Sequence, residues 1–149
     1  MKKTFCVLSL VFLLTHLIFP KEVAVGIGWP YIAAKYNFSK KFSTEIKFAS
    51  LENINVYALR GYFNFYTYKN LRSFSGIDTG YTTFDTSGFK GSGFIGGIFV
   101  GGEYFITKRL SFCCDIASTF INLKSDNLKA SGIEFIANFA IYWWFLVNK

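Results

Sequence analysis

The chain predicts an all-β fold, an eight-stranded antiparallel up-and-down barrel that spans a membrane, preceded by an N-terminal signal segment. Three observations carry this. From Ile133 to Phe145 every second residue (Ile133, Phe135, Ala137, Phe139, Ile141, Trp143, Phe145) is apolar, while Glu134 and Asn138 lie on the other face, the period of two that a β-strand imposes. Alternating runs of this kind recur eight times between turn-forming residues. Of 149 residues, 52% are hydrophobic and 21% aromatic against only 17% charged, and 19 Phe with 9 Tyr exceed what one small core can enclose. At this length the chain is one domain.

The N-terminal segment reads as an export signal. Lys2 and Lys3 precede an apolar run from Phe5 to Phe19, interrupted by Ser9, Thr15 and His16, and this is short for a membrane-crossing helix. Residues 1–21 are expected to form the signal, with processing between Phe19 and Ala24, and residues 22–149 the barrel. Cys6 lacks the small-residue surroundings of a lipoprotein site. His16 is the single histidine of the sequence, so a processed chain would contain none.

The strands follow in order. The first is Val23–Trp29, ended at Pro30, which cannot donate to a central ladder. The second runs from Tyr31 to Phe38, and Ser39–Lys41 turn the chain into the third, Phe42–Ala49. A loop over Ser50–Asn53 leads to the fourth, Ile54–Tyr68, and Lys69–Leu71 turn into the fifth, Arg72–Phe84. The glycine-bearing stretch Asp85–Gly91 is expected to be a loop, followed by a sixth strand, Ser92–Ile106, a tight turn at Thr107–Arg109, and a seventh strand, Leu110–Leu123. Lys124–Ser131 reads as a loop before the closing strand. Short turns thus alternate with longer loops, as in bacterial outer-membrane barrels.

Charge sets the facing. An ionised side chain turned to the bilayer midplane costs roughly 2 to 4 kcal/mol for Lys or Arg, so Lys35, Glu45, Lys47, Arg60, Asp78, Glu103, Asp115 and Glu134 are placed inward. The opposite faces are then apolar on six of the seven strands concerned, the fifth being the poor one with Ser75, Ile77, Thr79 and Tyr81. Lys40, Lys41, Lys69, Arg72, Lys108 and Arg109 all fall at the short-turn end, where Tyr36, Phe38, Phe65, Tyr68, Tyr104, Phe105, Trp143, Trp144 and Phe145 are expected to form an interfacial aromatic girdle. A secreted soluble lipocalin-like barrel that binds an apolar ligand would use the inverse alternation, and is the alternative reading.

The inward charges form the one constellation with chemical interest. Bases on the second to fourth strands face acids on the fifth to eighth, and a barrel this narrow lets them meet. A lumen plugged by an ion-pair network is the expectation, since an unpaired buried charge is costly; a proton or ion path is the sharper alternative. With no histidine beyond residue 16, lipid-modifying chemistry of the Ser–His kind lacks its usual base, so an outer-membrane lipid-modifying enzyme ranks third. Cys113 and Cys114 are adjacent and point to opposite faces, which suits apolar filling better than a disulfide. No metal, cofactor or catalytic site is expected, and the basic turns suit a membrane rim better than nucleic acid.

Gly26–Ile27–Gly28–Trp29–Pro30, Val100–Gly101–Gly102–Glu103–Tyr104–Phe105 before a Lys–Arg turn, and the aromatic closing strand resemble the small eight-stranded bacterial outer-membrane barrels of the OmpA and OmpX kind, grouped as outer-membrane β-barrel domains. The resemblance covers nearly all of residues 22–149. It implies localisation in the outer membrane, contact with outer-membrane lipid, a monomeric state and a final strand that serves as the signal for the barrel-assembly machinery, on which Ile141, Trp143 and Phe145 match. Leu146–Lys149 trail beyond the final aromatic, where such chains often end. The function expected is structural, adhesive or surface-interacting, with a plugged polar lumen and no wide pore.

Overall fold

The computed structural model describes residues 22–86, 89–125 and 129–146. The expected signal, including Cys6 and His16, and the last three residues of the C-terminal tail lie outside them. Eight strands follow in chain order: β1 (Glu22–Gly28), β2 (Tyr31–Asn37), β3 (Phe42–Leu51), β4 (Ile54–Tyr68), β5 (Leu71–Thr86), β6 (Phe89–Phe105), β7 (Leu110–Ser125) and β8 (Lys129–Leu146). Each pairs antiparallel with its sequence neighbours, and β1 pairs with β8 to close the ring. The first two strands are therefore separate, divided at Trp29–Pro30, and closure removes the edges that an open sheet would leave.

The stagger of the ring can be traced through its pairs. Ile27 lies opposite Ile32, and the line continues through Phe48, Tyr57, Tyr81, Phe94 and Asn122 to Ser131 on β8. On its other side Ile27 pairs directly with Ile141. The ring thus closes ten residues out of step, 141 less 131. A stagger this large tilts eight strands by roughly 40° and leaves an interior that side chains can fill.

Strand boundaries differ from the sequence expectation at one end of the barrel. The connections at the short-turn end lie where expected, but the longer loops shrink: β3 and β4 are joined by Glu52–Asn53, β5 reaches Thr86 before β6 begins at Phe89, and β7 reaches Ser125 before β8 begins at Lys129. The alternation of short and long connections is not present. Asp85, Lys90, Gly91, Lys124, Ala130 and Ser131 fall within the expected loops, yet they pair through their backbones in the ladders. Away from an apolar belt a paired strand has no need of hydrophobic alternation, so the period-2 signal fades before the strand ends. At the turns Glu52 and Lys69 take positive φ values of 47° and 50°, the left-handed geometry that tight reversals demand.

The rim at this end is uneven. β1 and β2 have seven residues each, whereas β8 has eighteen. Pairing between β1 and β8 stops at Gly28 and Ala140, so residues 129–139 of β8 pair with β7 alone. At the opposite end, Glu22 lies beside Leu146, and the register of β4 against β5 shifts between Asn64 and Tyr66. That bulge leaves both Phe65 and Tyr66 exposed although they are consecutive.

The outer surface is apolar as charge placement requires. Ile27, Ile46, Ile77, Phe94, Ile98, Ile116, Phe135 and Ile141 are all more than half exposed, and they sit on the faces opposite the charges. Even β5, the least regular strand in sequence, presents Ile77 and Tyr81 outward. The closely packed region is the lumen itself, with Tyr62, Phe74, Phe99, Tyr142 and Trp144 buried there at 4% exposure or less.

Candidate functional site

The lumen holds the charges in two connected clusters. Lys35, Glu45, Arg60 and Glu103 are each at most 1% exposed, a burial that charged groups reach only with partners. In the first cluster Lys35 Nζ lies 2.9 Å from Glu103 Oε2 across the barrel. Glu103 Oε1 also accepts from Ser111 Oγ at 2.6 Å, and Trp144 Nε1 donates to Ser111 Oγ at 2.8 Å. Arg72 Nη1 stands 3.8 Å from the same carboxylate, with its guanidinium over the Phe105 ring at 4.8 Å. Lys35 lies 4.3 Å above the Tyr62 ring, so its ammonium meets both a carboxylate and a π-face.

The second cluster is centred on Arg60. Its two terminal nitrogens donate to Asp115 at 2.9 and 2.8 Å, the fork geometry that makes Arg–carboxylate pairs strong. Its Nε is 3.9 Å from Asp78 Oδ2, and the guanidinium covers the Phe99 ring at 3.6 Å. Glu45 takes no ion pair of its own among the described residues; its Oε2 accepts hydrogen bonds of 2.7 Å from both Tyr62 and Tyr142. Arg60 Nη1 is 3.2 Å from the Tyr62 hydroxyl oxygen, which links the carboxylate to the guanidinium. Above this layer Lys47 donates to Asn138 Oδ1 at 3.1 Å and lies 3.6 Å over the Tyr31 ring, while Asn138 donates to Asp115 at 2.9 Å.

Seven of the eight inward residues expected from sequence therefore meet in the lumen: Lys35, Glu45, Lys47, Arg60, Asp78, Glu103 and Asp115. Glu134 does not join them. It points to the same side of β8 as Asn138 but is exposed, in the stretch that has no β1 partner, and among the described residues no ion pair reaches it. The strand runs on past the height of the acid–base layer, which facing alone could not reveal.

The interior is also less uniformly polar than charge placement suggested. Toward the uneven rim, the inward positions Ile54, Val56, Ile95, Ile121, Leu123 and Ile136 are apolar. The Ile95 side chain lies where a Cβ on Gly80 would sit, and Leu123 where one on Gly93 would sit. At the other end, two members of the expected aromatic girdle belong inside. Trp144 is 2% exposed and hydrogen-bonded in the first cluster, and Phe105 packs beside it with ring centroids 5.9 Å apart. Sequence reasoning missed Tyr62, Phe74, Phe99, Tyr142, Trp144 and Ser111. The signal was available, since each shares the parity of a charged residue on its own strand. Ile141, Trp143 and Phe145 face outward and are about half exposed. Cys113 is buried inside, Cys114 is exposed outside, and both are free.

The comparisons with known proteins agree with this geometry. The N-terminal β-barrel domain of Pseudomonas aeruginosa OprF superposes with a TM-score of 0.55 at 13% identity, over 83% of this chain and 94% of that one. Neisserial surface protein A (NspA) superposes with a TM-score of 0.58 at 12% identity, over 82% of this chain and 91% of that one. The fold is that of the small eight-stranded barrels. The resemblance drawn from the sequence thus holds at the level of fold. No protein-family model matches the chain, and no curated protein matches its sequence.

Proposed function

We propose that the chain is a monomeric outer-membrane barrel with a closed lumen, whose role is structural or surface-interacting and is exercised at the end opposite the one where Glu22 of β1 lies beside Leu146 of β8. The observation that carries this reading is the buried acid–base layer. Arg60–Asp115, Lys35–Glu103 and the Tyr62–Glu45–Tyr142 bridge cross the lumen among buried aromatic side chains. A channel for ions would need mobile or solvated charges along its path, whereas these are tied to one another. The apolar outer belt and the fold shared with two outer-membrane barrels support the membrane placement. A soluble barrel would present Phe94, Ile98 and Phe135 to water, at a cost of roughly 25 cal/mol per Å² of apolar surface.

The reading implies no catalysis. The connections are too short to form a large adhesive surface, so surface contact would fall on the strand tips and on β8 above the β1–β2 hairpin. Ile141, Trp143 and Phe145 are assigned to recognition by the barrel-assembly machinery. Reconstitution into planar bilayers tests the closed lumen: the account expects no stable conductance steps from the folded chain, and a reproducible open channel would refute it.

A further inference from the structure

The lipid-facing wall is indented between β6 and β7 by a groove of about 440 Å³. Gly96 forms its floor, where an added Cβ would meet only the Asp78 carbonyl oxygen, at 3.7 Å. Phe94 and Phe120 flank it, both exposed. Further toward the uneven rim the lining turns polar, through Ser92, Asn122 and Lys124. The groove is thus amphiphilic along its length, with an apolar trough beneath a cationic and hydrogen-bonding head.

Beside that head stands a second cation. Lys124 pairs in register with Lys129 of β8, both are exposed, and alternation puts both on the outer face with Phe120 and Ile133. Like charges directly opposite on one sheet face repel, a cost that a shared counter-anion removes. The nearby Lys90 is already held by Asp85 at 2.8 Å, whereas no carboxylate among the described residues forms an ion pair with Lys124 or Lys129.

We infer that this groove binds a multiply acylated lipid bearing a phosphate monoester, of the lipid A class. Lys124 and Lys129 hold the phosphate, Asn122 and Ser92 face the saccharide, and an acyl chain lies over Gly96 between Phe94 and Phe120. A monoester carries about −1.5 to −2 charge near neutral pH, which two adjacent ammonium groups balance, while the phosphodiester of a glycerophospholipid carries one. The placement rests on the membrane reading above, with this end, opposite the Glu22 and Leu146 ends of β1 and β8, taken as the one in the outer leaflet.

The test is native mass spectrometry of the refolded chain in detergent, titrated with bisphosphorylated lipid A, with the same lipid after enzymatic dephosphorylation, and with phosphatidic acid. Retention of lipid A is expected to exceed that of the dephosphorylated form by roughly tenfold or more, as two interfacial lysines imply, and to exceed that of phosphatidic acid. The Lys124→Gln/Lys129→Gln double variant should lose that preference, and Gly96→Leu should weaken retention of both forms of lipid A by filling the trough. Equal retention of the two lipid A forms by the unaltered chain would overturn the phosphate site without recourse to any variant. Phosphatidic acid bound as tightly as lipid A would overturn the assignment to that class. Heat-dependent gel migration, recorded for each sample, reports separately on whether the barrel itself has formed.

Discussion

Arg60 meets two carboxylates in the lumen, with Asp115 on two of its nitrogens and Asp78 near the third, and has Tyr62 at 3.2 Å and Phe99 beneath its plane. Removing it strands Asp115 and Asp78 without their cation in a low-dielectric interior, and breaking a buried pair costs about 3 to 5 kcal/mol. Arg60→Ala should therefore lower the urea midpoint in detergent micelles by a corresponding amount. Arg60→Lys should recover only part of the loss, because an ammonium cannot repeat the two-point contact with Asp115. The glycines make a matched pair at the same scale. A Cβ on Gly76 would meet the Gly61 carbonyl oxygen and the Phe99 ring, whereas one on Gly96 would make only an ordinary van der Waals contact with the Asp78 carbonyl oxygen at 3.7 Å. Gly76→Ala is expected to destabilise by about 1 to 3 kcal/mol through overpacking, and Gly96→Ala to change stability by less than about 0.5 kcal/mol, both read from the same urea titration.

At the scale of the element, facing was legible wherever a strand carried a charge, because one ionised residue fixes the phase of all its neighbours. Arg60 sets the parity that turns Leu59 and Phe63 outward, and Asp115 does the same for Phe112, Ile116 and Phe120. Length was less legible. Lys124–Ser131 looks like a loop because its residues are polar, yet Lys124 pairs with Lys129 and Asn122 with Ser131. Hydrogen bonding to the neighbouring strand, which composition does not record, carries β7 and β8 beyond the belt. Trp144 shows the converse error: its residue type suggested an interface, while its place one residue from Trp143 required the lumen. The outward residues of β8 also carry the assembly proposal. Trp143→Ala/Phe145→Ala should slow folding into lipid vesicles in the presence of purified assembly machinery, with little change in its absence. An equal slowing in both conditions would assign these side chains to membrane packing alone.

For the whole molecule, the ten-residue stagger joins the two scales. It sets the interior at a width that lets Lys35 reach Glu103 and Arg60 reach Asp115 across the lumen. Pair partners across the ring could not be read from sequence, since the stagger depends on every register in turn; that Lys35 and Arg60 on β2 and β4 would face acids on β5 to β8 was legible, whereas Glu45 on β3, held by Tyr62 and Tyr142, and Arg72 on β5, beside Glu103, depart from that division. The shortness of β1 and β2 was equally visible in sequence, but its consequence was not: it leaves the inward Ile136 and Glu134 of β8 standing above the hairpin, paired with β7 but not with β1. The central claim, that the apolar face of each strand meets lipid and the charged face meets the lumen, is tested most directly by a nitroxide scan along residues 133–145 of β8 in reconstituted vesicles, with Cys113 and Cys114 replaced by alanine. The account predicts that labels at 135, 139, 141, 143 and 145 collide freely with oxygen and hardly with a water-soluble nickel chelate, while 140, 142 and 144 are shielded from both. Labels at the odd positions relaxed chiefly by the nickel chelate would contradict it.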